Sequence, residues 1–259
     1  MNMKSVFPIF FALVAALLLS SCHFNINEGC MDYDYAELYT MGGGEIKGAV
    51  SDIDIDWLDG QVNIQYFDGE NVEISETSAK SLNEKTTMYH YLDNDGELHI
   101  AYCKSGKHKA GTFKGLKKAL LVKIPRNTKL QDISIESVGA NITFDTIQCD
   151  KIDCEVVSAN MLLNQVVCNK IDIESVSSDS ITGYFSTLPK TIDIESVSGK
   201  VTLYVPTDAG ITADVEGIGT NFNSDLPATT HEKKHIIGDG SCHIDMESVS
   251  GELNILTLK

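Results

Sequence analysis

The chain has 259 residues, 42% of them hydrophobic, and a formal net charge of −17. That length and apolar share allow a sizeable core and exclude a disordered chain, while the charge excludes nucleic acid as a partner, because phosphate would be repelled. Seven cysteines are too dispersed for a small disulfide scaffold.

Lys4 is the only charge in the first 21 residues, followed by an apolar run over 6–19 and then Leu19-Ser20-Ser21-Cys22. A basic start, a short apolar run and small residues before the cut predict a secretory signal over 1–21. The run is shorter than the ~20 residues of a spanning helix. Leu-Ser-Ser-Cys also matches the bacterial lipobox. Cys22 is therefore expected to be acylated and to hold the chain on a lipid bilayer, at about 0.8 kcal/mol per buried methylene. The alternative is a plain signal peptide with an incidental Cys22. An acylated chain belongs in the cell envelope, and the expectation is the outer membrane, on its periplasmic face or at the cell surface. Residues 22–44 show no periodicity and include Gly42-Gly43-Gly44, and they read as a tether reaching about 70 Å if extended.

Residues 45–259 read as one β-repeat domain. Its first unit is degenerate: Ile53, Ile55 and Trp57 alternate with acids, Asp59-Gly60 breaks the run, and Val62 and Ile64 resume it. Trp57 belongs to the inward alternation, which makes it core rather than a platform for sugar rings. Residues 73–83 are polar and read as a loop or an edge. Residues 86–102 predict a hairpin around Asp93-Asn94-Asp95-Gly96, since glycine adopts φ > 0 at little cost. Residues 104–118 then hold six lysines and no acid. They read as a solvated loop that keeps a sheet edge from pairing, or as a patch for anionic lipid head groups or acidic glycan. Residues 119–125, ALLVKIP, form a strand stopped by proline.

From Asp132 one unit recurs: DISIESVGANITF, KIDCEVVSANMLL, KIDIESVSSDSIT and IDIESVSGKVTLYVP, with HIDMESVSGELNI near the end. With the acid before the break as marker, Glu136, Glu155, Glu174, Glu195 and Glu247 are separated by 19, 19, 21 and 52 residues, and Asp56 marks the early copy. Alternation on both sides of a Ser-Gly break reads as strand, tight turn, strand. A period near twenty signals a repeat architecture. The expected fold is all-β, a right-handed β-helix-like solenoid of about 19–21-residue strand–turn–strand repeats, with a two-sheet β-sandwich as the alternative. Stacking predicts three internal columns: Ile133/Ile152/Ile171/Ile192/Ile244, Ile135/Cys154/Ile173/Ile194/Met246 and Val138/Val157/Val176/Val197/Val249. Residues 207–230 form a more irregular copy.

The outward positions carry the candidate site. Asp153, Asp172, Asp193 and Asp245 lie two residues before the markers and, with Glu136, Glu155, Glu174, Glu195 and Glu247, make two files of carboxylates. At rung spacing, like charges repel by about 0.9 kcal/mol in water before screening. A solvated face with Lys151 and Lys170 nearby could tolerate this. The functional alternative is Ca²⁺, which takes six to eight oxygen ligands. Cys149 and Cys168 fall at equivalent places in consecutive copies, close enough on parallel rungs for a disulfide or for a column of free thiols. His231-Glu232-Lys233-Lys234-His235 spells HExxH, but zinc chemistry needs both histidines on one helix face. Here Pro227 and Gly238 flank the motif and two lysines fill its middle, which argues against a protease.

The lipobox, DIDIDWLDGQVNI, LLVKIP, the IDIESVSGKVTLYVP copies and the closing GDGSCHIDMESVSGELNI together resemble a bacterial cell-envelope β-strand-repeat family named for adhesins and otherwise of unknown function. The resemblance covers residues 45–259. It implies an extracytoplasmic β-helix-like domain, an adhesive role towards an unnamed protein or glycan ligand, and no catalytic residues to carry over. The rival readings are a carbohydrate-active lyase or hydrolase on a solenoid, and a periplasmic scaffold.

Overall fold

The computed structural model describes residues 24–25 and 30–259, so Cys22 and the signal over 1–21 lie outside the described residues. Among the described residues the secondary structure is strands with one short 3-10 turn, Ala36–Leu38, and no α-helix.

Two long pieces of sheet run side by side because each copy contributes two arms. We number the strands β1 (Asp52–Phe67), β2 (Glu73–Thr77), β3 (Tyr89–Leu92), β4 (Glu97–Ala101), β5 (Ala119–Pro125), β6 (Asp132–Asp145), β7 (Lys151–Ser158), β8 (Met161–Asn164), β9 (Lys170–Tyr184), β10 (Thr191–Val205), β11 (Ile211–Gly217), β12 (Asn221–Ser224), β13 (Ala228–His231), β14 (Lys234–Ile237) and β15 (Cys242–Thr257). First arms pair in parallel in the order β4, β1, β6, β7, β9, β10, β15, β11. Second arms pair in parallel in the order β5, β1, β6, β8, β9, β10, β15, β12. The final copy therefore sits directly on β10, and the irregular copy lies outside it. The 52-residue gap is the excursion of the chain to that outer rung and back.

Both ends of the stack finish in antiparallel strands. β3 pairs with β4 and β2 with β5 at one end, and β14 pairs with β11 at the other. Such strands cover the first-arm edge at both ends and the second-arm edge at one, while among the described residues β12 pairs only with β15. The predicted hairpin over 86–102 is the β3–β4 pair, and the polar 73–83 stretch supplies β2.

Ser198-Gly199 is not a reversing turn. β10 runs through it as one bent strand, and Ser198 and Gly199 face Ser250 and Gly251 in parallel register. A hairpin would have folded the two arms against each other; here each arm pairs with the next copy. Asp59-Gly60 likewise lies inside β1. Gly60 has φ +105°, and a Cβ there would fall 2.0 Å from the Lys118 carbonyl oxygen, the acceptor for the Gln61 N–H at 2.9 Å. Glycine admits this crossing of backbones.

The two isoleucine-led columns are buried as expected. The valine column is not. Val138, Val157, Val176, Val197 and Val249 are half-buried, and strict alternation turns the preceding residue inward instead. The third internal column is Trp57, Ser137, Val156, Ser175, Ser196 and Ser248, all buried. Ser196 Oγ donates to Ser248 Oγ at 3.1 Å; Ser175 Oγ has no hydrogen-bond partner among the described residues.

Two further expectations are corrected. The tether does not extend to residue 44, because Cys30–Met31 pairs with Gly106–Lys107 and Met31 and Tyr33 are buried in the core. The six lysines do not form one solvated loop either. Lys118 is fully buried, with Nζ 2.7 Å from Glu76 and 2.8 Å from the Thr86 carbonyl.

Candidate functional site

Parallel register converts the repeated D-x-E of each copy into two straight files. Asp153, Asp172, Asp193, Asp245 and Asp214 face one another in turn. Glu136, Glu155, Glu174, Glu195, Glu247 and Glu216 form the adjacent file. The files border a groove of about 490 Å³ lined by Lys151, Lys170 and carboxylates from Asp153 to Glu247. The structure thus brings all of the predicted acids except Glu136 to one groove, and it adds Asp214 and Glu216 to the files.

The lysines are clips. Lys151 Nζ lies 2.5 Å from Asp153 and 3.0 Å from Asp172, and Lys170 Nζ lies 2.9 Å from Asp172 and 3.1 Å from Asp193. Each spans two rungs and offsets the repulsion that stacking creates. The next two positions in their register are Thr191 and His243, so the clips end at Asp193. Among the described residues no lysine or arginine pairs with Glu174, Glu195, Asp245 or Glu247. At the far end Lys234 meets Asp214 and Lys233 meets Glu216.

Protonation follows this pattern. Burial and then Glu155 and Glu195 raise Glu174; burial and then Asp245 and Asp193 raise Glu195. Burial followed by neighbouring carboxylates likewise raises Asp245 and Glu247. Burial pushes Asp172 up too, but the hydrogen bonds from Lys170 and Lys151 outweigh it and leave it lowered. A carboxyl raised in the folded state contributes stability below its unfolded value and loses it as the pH rises through the folded one; a lowered carboxyl does the reverse. This groove has four raised carboxyls against one lowered. Elsewhere Glu97, Asp132 and His99 are raised against Glu84, Asp93, His90 and His235 lowered. With the raised groups in the majority, thermal midpoints are expected to rise as the pH falls from 7 towards about 4.5, the ordinary carboxylate range. The Glu195→Gln/Glu247→Gln variant should begin higher at pH 7 and climb less. A midpoint that falls steadily over that window would show that the lysine clips dominate the face.

A second cluster was not legible in the sequence. His99 on β4 faces Asp54 on β1, and Glu97 precedes it by two on the same face. His99 Nδ1 is 3.1 Å from Asp54 Oδ2, and Nε2 is 3.6 Å from Glu97 Oε2. Tyr91 stacks on the imidazole at 4.5 Å and 11°. Burial lowers His99, but the Asp54 hydrogen bond and the surrounding acids prevail and its value is raised. The alternation of ELHIA and DIDID marks these residues as outward, but only the β1–β4 pairing brings them together.

The remaining candidates are resolved by geometry. HExxH forms a hairpin, with His231 on β13 and His235 on β14, the latter bonded through Nδ1 to Thr230 Oγ1 at 2.9 Å and stacked on Phe222. It presents no helix face for zinc. Cys149 and Cys168 lie on neighbouring rungs, where the Cys149 N–H reaches the Val167 carbonyl at 3.1 Å. Both stand as free thiols in this structure. Burial pushes both upward, Cys168 to about 12, which disfavours the reactive thiolate. Trp57 is buried and packs edge-on against Tyr102.

The sequence model of the family described as Toastrack DUF4097 matches residues 50–184, just over half of the chain. No curated protein matches. Among solved structures, the chain is similar to "a putative cell adhesion protein" from Clostridium sporogenes, at 14% identity and TM-score 0.53, covering 85% of this chain and 99% of that one. "A putative adhesin" from Bacteroides fragilis also matches at 14% identity, with TM-score 0.41 and 85% and 97% coverage. A third, "putative adhesin" from Parabacteroides distasonis, matches at 14% identity with TM-score 0.36 and the same coverages.

Proposed function

Because the chain belongs to the Toastrack DUF4097 family, we propose that it is a non-catalytic, adhesin-like binding protein of the bacterial cell envelope. In this reading acylated Cys22 holds it on the membrane, and a right-handed β-solenoid of 19–21-residue repeats presents the binding face to a protein or glycan. One observation carries the proposal: the charged groups stand in straight files on regular strands, with three consecutive rungs clipped together by two lysines. That is a rigid surface built for contact over length, and rigid strands hold a binding constellation better than loops do. The name of the Clostridium sporogenes neighbour points the same way. Among the described residues no helix is long and apolar enough to cross a membrane. Calcium belongs to this proposal only at the Asp193–Asp245 step, beyond the last clip.

The test is protease shaving of intact cells, with a periplasmic protein as control. Loss of the chain while the control survives is expected. A chain protected until the outer membrane is broken would end the adhesin reading. Labelling with a fatty-acid analogue checks the anchor: label should appear on the chain and vanish in Cys22→Ala.

A further inference from the structure

The geometry points to a transition-metal site at His99 and Glu97, oriented by Asp54, at the end of the sheet remote from the unclipped acid files. Asp54, Glu97 and His99 each offer a ligand atom, and these lie within 4.8 Å of one another. The roles follow from the ring. Nδ1 faces Asp54 Oδ2 at hydrogen-bond distance, 3.1 Å, while Nε2 faces Glu97 Oε2 at 3.6 Å. A tetrahedral ion with bonds of 2.0–2.2 Å holds two ligand atoms roughly 3.3–3.6 Å apart. Nε2 and Glu97 are therefore already spaced as one edge of a coordination tetrahedron. Asp54 accepting from Nδ1–H leaves the Nε2 lone pair for metal and raises its basicity, as outer carboxylates do in zinc sites.

Two further features support the assignment. Tyr91 stacked on the imidazole fixes the plane of the ring, so ordering it on binding costs little. The Glu97 side chain is 43% exposed, so its carboxylate is open to the waters that complete the shell. Both ligands stand on β4, and Asp54 stands opposite on β1, so the set is strand-borne. An imidazole with a carboxylate selects zinc and its first-row neighbours over calcium, which prefers oxygen alone.

The full chain, purified in detergent and freed of metal with a chelator, is titrated with Co²⁺, followed by the visible bands of the four-coordinate ion, and then with Zn²⁺ in competition. One Co²⁺ per chain is expected, displaced by Zn²⁺ and not by excess Ca²⁺. His99→Gln and Glu97→Gln should each weaken binding at least tenfold, and Asp54→Asn about 10–100-fold, the usual effect of losing an outer-shell partner. Glu97 is 43% exposed at its side chain, so its variant keeps the fold and decides the matter if His99→Gln does not. Asp193→Asn/Asp245→Asn should bind as the parent does. No Co²⁺ spectrum in the parent, equal binding in Glu97→Gln, or loss confined to Asp193→Asn/Asp245→Asn would each overturn the assignment.

Discussion

Lys118→Met is expected to lower folding stability by about 3–5 kcal/mol, the usual result of removing one member of a buried ion pair. The Lys118 side chain has no exposure and that of Glu76 is 8% exposed. Nζ donates to the Thr86 and Tyr102 carbonyls and lies 4.2 Å from the Tyr102 ring centroid and 4.9 Å from that of Trp57. The ammonium is thus desolvated but saturated by one carboxylate, two carbonyls and two aromatic faces. Methionine matches its stem and leaves the carboxylate buried without its cation, along with two carbonyls without their donor. Each such orphan costs about 1–3 kcal/mol, more for the charged one. Glu76→Gln in the same chain removes the stranded charge while keeping an acceptor for the Met88 N–H, now bonded to Glu76 Oε1 at 2.7 Å. The double variant should therefore be more stable than Lys118→Met by at least about 1 kcal/mol, a coupling of the size seen for contacting residues. Urea denaturation at constant slope measures both. Equal midpoints for the single and double variants would show that Glu76 does not depend on Lys118.

That cage also shows where sequence reading stops. Lys118 closes a run of lysines, and local composition assigns it to solvent with the rest. Its burial is decided by Glu76 and Trp57, which approach through β2 and β1, pairings that leave no trace in the run itself. Asp54, Glu97 and His99 escaped for the same reason: the contact spans 45 residues in sequence. The repeats, in contrast, were legible because each apolar column is written once per copy. Ile133, Ile152, Ile171, Ile192 and Ile244 share a register that spacing alone predicts. The acid files came with them, since outward positions follow once inward ones are known. The missing piece was the corner. Treating Ser-Gly as a reversing turn ended the alternation at Ile194 and made the following valine the next apolar landmark. The first arm keeps its period as far as Ser196, so Ser196 turns inward and Val197 does not; the alternation slips only at the corner and resumes with Val201, Leu203 and Val205 inward.

The two isoleucine-led columns and the half-buried valines can be separated by truncation. Ile194 is buried between Ile173 and Met246 of the adjacent rungs. Ile194→Ala should cost about 2–5 kcal/mol, because the lost transfer energy adds to a cavity that stacked neighbours cannot close. Val197→Ala, at a half-buried position, should cost about 1 kcal/mol or less, since part of the side chain is already in water. Ser175→Ala should be neutral or slightly stabilising, because it removes a buried hydroxyl that has no partner among the described residues. Ser196→Ala, which breaks the bond to Ser248, should cost about 1 kcal/mol. The order of the four midpoints in urea is the measurement. If Val197→Ala matched Ile194→Ala and Ser175→Ala were costly, the valines and not the serines would line the interior. The acid files would then have to be rebuilt too, because each marker glutamate stands one residue before a member of that inward column, a serine in every copy but Val156, whose direction sets its own.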